Sequence, residues 1–206
     1  MKALKKFLII FFILLAIYTI VTTRKMMIVI KLVEKSEEYV GKTNYFAVVQ
    51  SIQNGNTNVI KSYNKDGNYL SIMSTYKKKD KNESVFTQYK KDSEEIGIIQ
   101  SGEKKIAMLK NDALIEVNVV NIFSTFDTTV KKLQLAIMSK ITTENYGNSE
   151  CYLVELDNWK MWVDKNTGLI IREINGGFIT ERFYEFDVVK DEDIIKPNIE
   201  DCKIQE

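Results

Sequence analysis

The sequence predicts an α+β fold built on antiparallel strands and preceded by one transmembrane helix. Three observations lead there. Residues 7–22 carry no charge, short β-prone runs separated by turn dipeptides fill most of the remaining chain, and two stretches outside the first run repeat apolar residues at helical spacing. The order helix, many strands, helix, strands belongs to an antiparallel α+β domain. A parallel sheet would alternate strand and helix throughout.

The N-terminal run comes first. Lys2, Lys5 and Lys6 precede Phe7–Thr22, and Arg24 and Lys25 follow it. As a helix this run spans about 25 Å, close to a hydrocarbon core of about 30 Å. The long stems of the flanking basic residues reach the headgroups. Three lysines before the run and two basic residues after it favour an internal N-terminus. The expected division is an anchor over residues 1–25 and an extracytoplasmic domain over residues 26–206, in a single-pass protein of the cell membrane. A cleaved signal peptide shares the basic start and apolar middle. The segment Thr19-Ile-Val-Thr-Thr-Arg24 offers a poor cleavage site, and a buried helix of a soluble domain is the third reading. No cysteine directly follows the run, which excludes a lipoprotein anchor.

The formal net charge of +1 divides unevenly. The first 25 residues hold five basic groups and no acidic one, which leaves 24 basic against 28 acidic residues beyond them. An exterior domain of about −4 argues against a nucleic-acid partner. Histidine is absent, which removes His-based triads, metal ligands and pH switches together. Two cysteines, Cys151 and Cys202, are too few to close a zinc site. Outside the membrane they are a candidate disulfide. The other reading is a buried thiol at Cys151 and a free tail thiol at Cys202.

Residues 26–41 read as a helix with an imperfect stripe of Ile28, Leu32, Tyr39 and Val40, stopped by Gly41. The period then changes to two. Strands are expected at Thr43–Gln53 and Thr57–Asn64, joined by the hairpin signal Asn54-Gly55. The turn Lys65-Asp66-Gly67-Asn68 leads to Tyr69–Tyr76, and a charged loop over 77–82 precedes Ser84–Lys90, Gly97–Ser101, Ile106–Leu109 and Ala113–Val119. Phe126, Val130, Leu133 and Ile137 then repeat at helical spacing, with Asp127 or Thr128 as cap; Leu135 and Met138 widen the apolar surface into one that suits burial against a sheet. Strands resume at Cys151–Glu155, Lys160–Asp164, Leu169–Ile174 and Phe178–Val188, and the polar tail from Lys190 to Pro197 reads as extended.

No catalytic signature emerges. There is no phosphate-binding loop, dinucleotide fingerprint or nucleophile elbow. Ser101-Gly-Glu-Lys104 matches Ser-x-x-Lys but lacks the partner motifs and sits at a strand end. Asp191, Glu192 and Asp193 read as a solvated tail, since adjacent carboxylates without a loop pattern make a poor cation site. No catalytic residue, metal ligand or cofactor is implied. The strand-borne aromatics carry more. Tyr45, Tyr63, Tyr69, Trp162, Tyr184 and Phe186 are candidates to line an apolar groove on a sheet face. Cross-strand packing in a core is the plainer reading of the same residues.

A helix, a meander holding Tyr63-Asn-Lys-Asp-Gly-Asn-Tyr69, a second helix, and Cys151-Tyr-Leu-Val-Glu155 leading to Met161-Trp-Val-Asp-Lys-Asn-Thr-Gly-Leu169 together resemble the LolA-like lipoprotein-carrier superfamily. The segment Trp162–Arg172 and Phe183-Tyr-Glu-Phe186 carry most of the likeness, which extends over about residues 26–190. The resemblance implies a curved antiparallel β-sheet, or half-open β-barrel, with helices packed in its mouth. It implies binding of a lipid or acyl chain, or of an envelope protein partner, without catalysis. The anchor departs from the soluble carriers and is closer to the membrane-anchored Gram-positive branch, which includes a spore-germination lipoprotein. That protein is lipid-anchored, and this chain lacks the cysteine for it. The partners expected are therefore the membrane, through residues 7–22, and either an apolar ligand or an envelope protein. The rival reading is a structural or regulatory interaction module of spore or cell-envelope processes, with a filled barrel.

Overall fold

The computed structural model describes residues 2–77, 83–109, 119 and 128–205. In chain order the elements are α1 (Lys2–Val40), β1 (Asn44–Gln53), β2 (Asn56–Lys65), β3 (Asn68–Lys77), β4 (Glu83–Lys91), β5 (Glu94–Ser101), β6 (Lys104–Leu109), α2 (Thr129–Met138), β7 (Lys140–Tyr146), β8 (Ser149–Leu156), β9 (Trp159–Asp164), β10 (Ile170–Asn175), β11 (Phe178–Phe186) and β12 (Lys203–Gln205). This is the predicted α+β class: within each unit the strand pairs are antiparallel except for β12, which runs parallel to β6. The expected strand at Ala113–Val119, except for its last residue, and the cap candidate Asp127 lie outside the described residues. The chain divides into two compact units, Met1–Glu38 with Val120–Ile170, and Tyr39–Val119 with Ile171–Glu206.

In the first unit, α1 is one uninterrupted helix of 39 residues, about 58 Å at 1.5 Å per residue. The separate helix expected over 26–41 is its second half. Neither Gly nor Pro occurs between Lys2 and Val40, so nothing in Thr22-Thr-Arg-Lys25 breaks the hydrogen-bond ladder, and Gly41 follows its last residue as expected. The two halves differ in environment. Large side chains from Leu4 to Val21 are 44–67 % exposed, whereas Val29, Leu32 and Val33 are buried in a core with Leu135, Val154, Met161, Val163 and Ile170. Burial of side chains of that size contributes about 1.5–3 kcal/mol each, so packing fixes this part of α1.

The sheet partners of α1 follow the order β9-β8-β7. Tyr152, Val154 and Leu156 of β8 face the α1 core, and Cys151, Leu153 and Glu155 face the other way. The turn after β9 is held by Asp164, whose Oδ1 accepts from the Asn166 and Thr167 amides at 2.8 Å and from Thr167 Oγ1 at 3.1 Å. Gly168 closes this turn at φ +70°, directly against the α1 backbone. Thr128 caps α2, accepting from the Lys131 amide. The helix does not bury its expected stripe. Leu135 and Ala136 go inward, and Val130, Leu133, Ile137 and Met138 are 41–66 % exposed. With ten residues and Ala136 beside Leu135, α2 turns only a narrow face to the core.

In the second unit the order is β12-β6-β5-β4-β3-β2-β1-β11-β10. The hairpin turns need the left-handed backbone that their sequences predict: Asn54 and Gly55 stand at φ +51° and +79°, Asp66 and Gly67 at +51° and +85°. One sheet face carries the core of Leu70, Tyr89, Ile96, Ile98 and Ala107, covered by Val189 and Ile194 with Ile199 and Cys202 alongside. The tail expected to be polar and extended is therefore a strap. Val189 and Ile194 supply apolar anchors among its charges, and Asn44 bonds the Val189 backbone in both directions.

Candidate functional site

The candidate groove residues separate by register. Across β11, β1, β2 and β3 the pairs Tyr45↔Phe186, Ala47↔Tyr184, Tyr45↔Asn64 and Asn64↔Tyr69 place Tyr45, Tyr69, Tyr184 and Phe186 on one face of the second unit. Phe186 gathers this set, with ring centroids 6.4 Å from Tyr45, 6.1 Å from Tyr184 and 4.7 Å from Tyr39. The row next to it on the same face is small and polar: Ala47, Ser62, Ser71 and Gln88 are at most 2 % exposed, and the two serine hydroxyls lie 2.7 Å apart. Tyr63 pairs with Phe46 and so points to the opposite face, where the two rings stand 4.8 Å apart. Those rings line a cleft of about 270 Å³ with Glu185, Val188, Val189 and Asp193. Trp162 lies on β9 in the first unit, its ring 6.2 Å from Tyr146.

The first unit holds a larger cleft of about 370 Å³ between α1 and the edge of its sheet. Val21, Arg24, Lys25 and Ile28 recur every three or four residues and share one helix face. Opposite them stand Ile141, Thr142 and Thr143 of β7 and Tyr152 of β8. The lining thus combines two cations, the Thr143 hydroxyl, an aromatic ring and aliphatic walls, with no carboxylate; Thr142 pairs with Leu153 and so turns its side chain to the other face. Lys25 Nζ donates to the Ser139 carbonyl oxygen at 2.6 Å, which ties it to the C-cap of α2. Arg24 is exposed, with no hydrogen-bond or ion-pair partner among the described residues. Sequence reasoning missed β7 and with it this cleft. The usable signal was Ile141-Thr-Thr143, a β-branched run closed by the turn at Gly147, which stands at φ +57°.

Cys151 and Cys202 are free thiols, one in each unit. Burial, and after it the charge of Asp164 across the β8–β9 pair, pushes the Cys151 thiol above its usual pKa. Cys202 is partly exposed beside the strap residues of the second core. The acidic tail is internally engaged. Asp191 pairs with Lys65 at 3.1 Å, Glu192 with Lys190 at 3.3 Å, and Asp193 accepts from the Lys190 amide at 2.8 Å. Among the described residues no cluster of three acidic or thiol side chains is placed to hold a metal ion.

No protein-family model matches the chain, and no curated protein matches it either. Among solved structures it is similar to MucB, at 12 % identity over 82 % of this chain and 62 % of that one, with a TM-score of 0.40. It is also similar to MucB in complex with MucA(peri), at 10 % identity over 84 % of this chain and 60 % of that one, with a TM-score of 0.36. The chain thus spans about three fifths of the length of those structures.

Proposed function

We propose that this chain is a non-enzymatic envelope protein, held in the cell membrane by residues 7–22, whose LolA-like exterior domain binds a lipid or acyl chain or an envelope protein partner. The observation that carries it is the environment of α1. Its most apolar 18-residue window is wholly outside the protein core, while the second half of the same helix is built into one. Apolar side chains left in water along half of a helix need another medium, and a bilayer supplies it. The aromatic face of Tyr69, Tyr184 and Phe186, with Tyr45 only 8 % exposed beside Phe186, is the surface we assign to binding, because such rings offer large contact area at low entropic cost.

A second reading rests on the buried row of Ala47, Ser62, Ser71 and Gln88. A closed sheet face suits an interaction module with a filled interior, of the kind the resemblance connects with sporulation and germination. Copurification of the full-length chain from native membranes, with lipids and proteins both analysed, separates the two. Ligand binding predicts an acyl lipid at near one copy per chain, reduced severalfold by Tyr184→Ala with Phe186→Ala. The interaction module predicts an envelope protein instead. Recovery of neither from well-folded chain would sink the binding reading.

A further inference from the structure

We propose that the cleft between α1 and β7 is a binding site for the phosphate headgroup of an anionic phospholipid. This rests on the reading of residues 7–22 as the membrane anchor. Depth makes the first case. Thr22 ends the apolar run, and Ile28 lies six residues on, about 9 Å along the helix axis at 1.5 Å per residue. The interfacial zone of one leaflet is about 5–8 Å deep. A cleft lined from Val21 to Ile28 therefore opens at the headgroup level, where phospholipid is the most concentrated anion.

Its chemistry makes the second case. A phosphodiester needs cations and hydroxyl donors, and its glycerol and first methylenes need an apolar wall. Arg24 and Lys25 supply the charge, Thr143 the hydroxyl, and Val21 and Ile141 the wall. A guanidinium is suited to phosphate by its fixed fork of donors. The lining carries no carboxylate to repel an anion. The α2 C-terminus supports the same placement. Lys25 holds the Ser139 carbonyl oxygen, so Ile137 and Met138, which are 47 % and 66 % exposed, stand within a turn of the cleft mouth. Exposed apolar side chains beside cations are the composition of a surface that rests on a bilayer.

The test uses the full-length chain reconstituted into vesicles of phosphatidylcholine with or without phosphatidylglycerol, then extracted in mild detergent, with retained lipid counted by native mass spectrometry. The expected result is one phosphatidylglycerol retained in preference to phosphatidylcholine. Retention falls about 25-fold in Arg24→Ala with Lys25→Ala, at about fivefold per basic group beside an anionic surface. It is unchanged in Lys104→Ala with Lys105→Ala, which removes equal charge from β6. Thr143→Trp fills the cleft while leaving both cations, and it too loses the lipid; wild-type retention in this variant would overturn the site. Equal retention of the two lipids would also overturn it. Inorganic phosphate that displaces the lipid at equal concentration would overturn the assignment to a lipid headgroup. Failure of the chain to enter vesicles of either composition would overturn the anchor and this proposal together; entry without preference would overturn this proposal alone.

Discussion

Gly168→Ala is expected to destabilise the chain by about 3–4 kcal/mol, the range reached when a strained backbone and a steric overlap coincide. Gly168 stands at φ +70°, and a Cβ there would overlap the Leu32 carbonyl oxygen and come within 2.9 Å of the Ser36 amide nitrogen. Both of those atoms are backbone of α1, so no side chain can swing aside. Relief requires the helix to move off the Asp164 turn, and that breaks the packing of Leu32 and Val33 on Val154 and Met161. Gly147→Ala separates the two causes. It has a similar φ of +57° with nothing within 4 Å of the added carbon, so it meets only the left-handed cost of about 1 kcal/mol. Urea unfolding of the detergent-solubilised chain measures both. Equal losses at the two glycines would mean that α1 does not press on this turn.

Ile10→Lys combined with Leu14→Lys is expected to move the chain from the membrane to the soluble fraction. Twelve Leu, Ile, Phe and Val residues fill positions 7–22. At about −0.3 to −0.6 kcal/mol each they favour insertion by about 5 kcal/mol, and each lysine near the helix centre opposes it by about 3 kcal/mol. Leu14→Lys alone leaves the balance favourable and keeps the chain in the membrane. The pair, four residues apart on one helix face, reverses it. Sedimentation after carbonate washing reads the outcome. Continued membrane association of the double variant would show that another surface carries the attachment.

The sequence revealed most where local chemistry demands one backbone. Asn54-Gly55 and Asp66-Gly67 require left-handed φ, and both hairpins stand where those dipeptides put them. The same turns also fix parity. A two-residue hairpin pairing Gln53 with Asn56 sets Phe46 opposite Tyr63 and Tyr45 opposite Asn64. The division of the aromatic candidates, with Tyr45 and Tyr69 on one face and Tyr63 on the other, was therefore latent in the turn spacing. What stayed hidden depends on distant contacts. β12 is three residues whose pairing comes from β6 alone. The tail folds back because Val189 and Ile194 meet a core formed by residues about 80–120 positions earlier, and nothing local marks that. The buried face of α2 is set by Leu135 and Ala136, which a count of large apolar residues undervalues. Lys25 reads as the end of an anchor in sequence; only the fold brings it to Ser139 and the edge of β7.

The measurement that bears most directly on a membrane-anchored exterior domain is its topology. A reporter active only outside the cytoplasm is fused after Glu206, and the N-terminus of the mature chain is determined in the same cells. The expected result is reporter activity with the N-terminal run intact. A cytoplasmic signal, or a mature chain cut near Thr23, would contradict it.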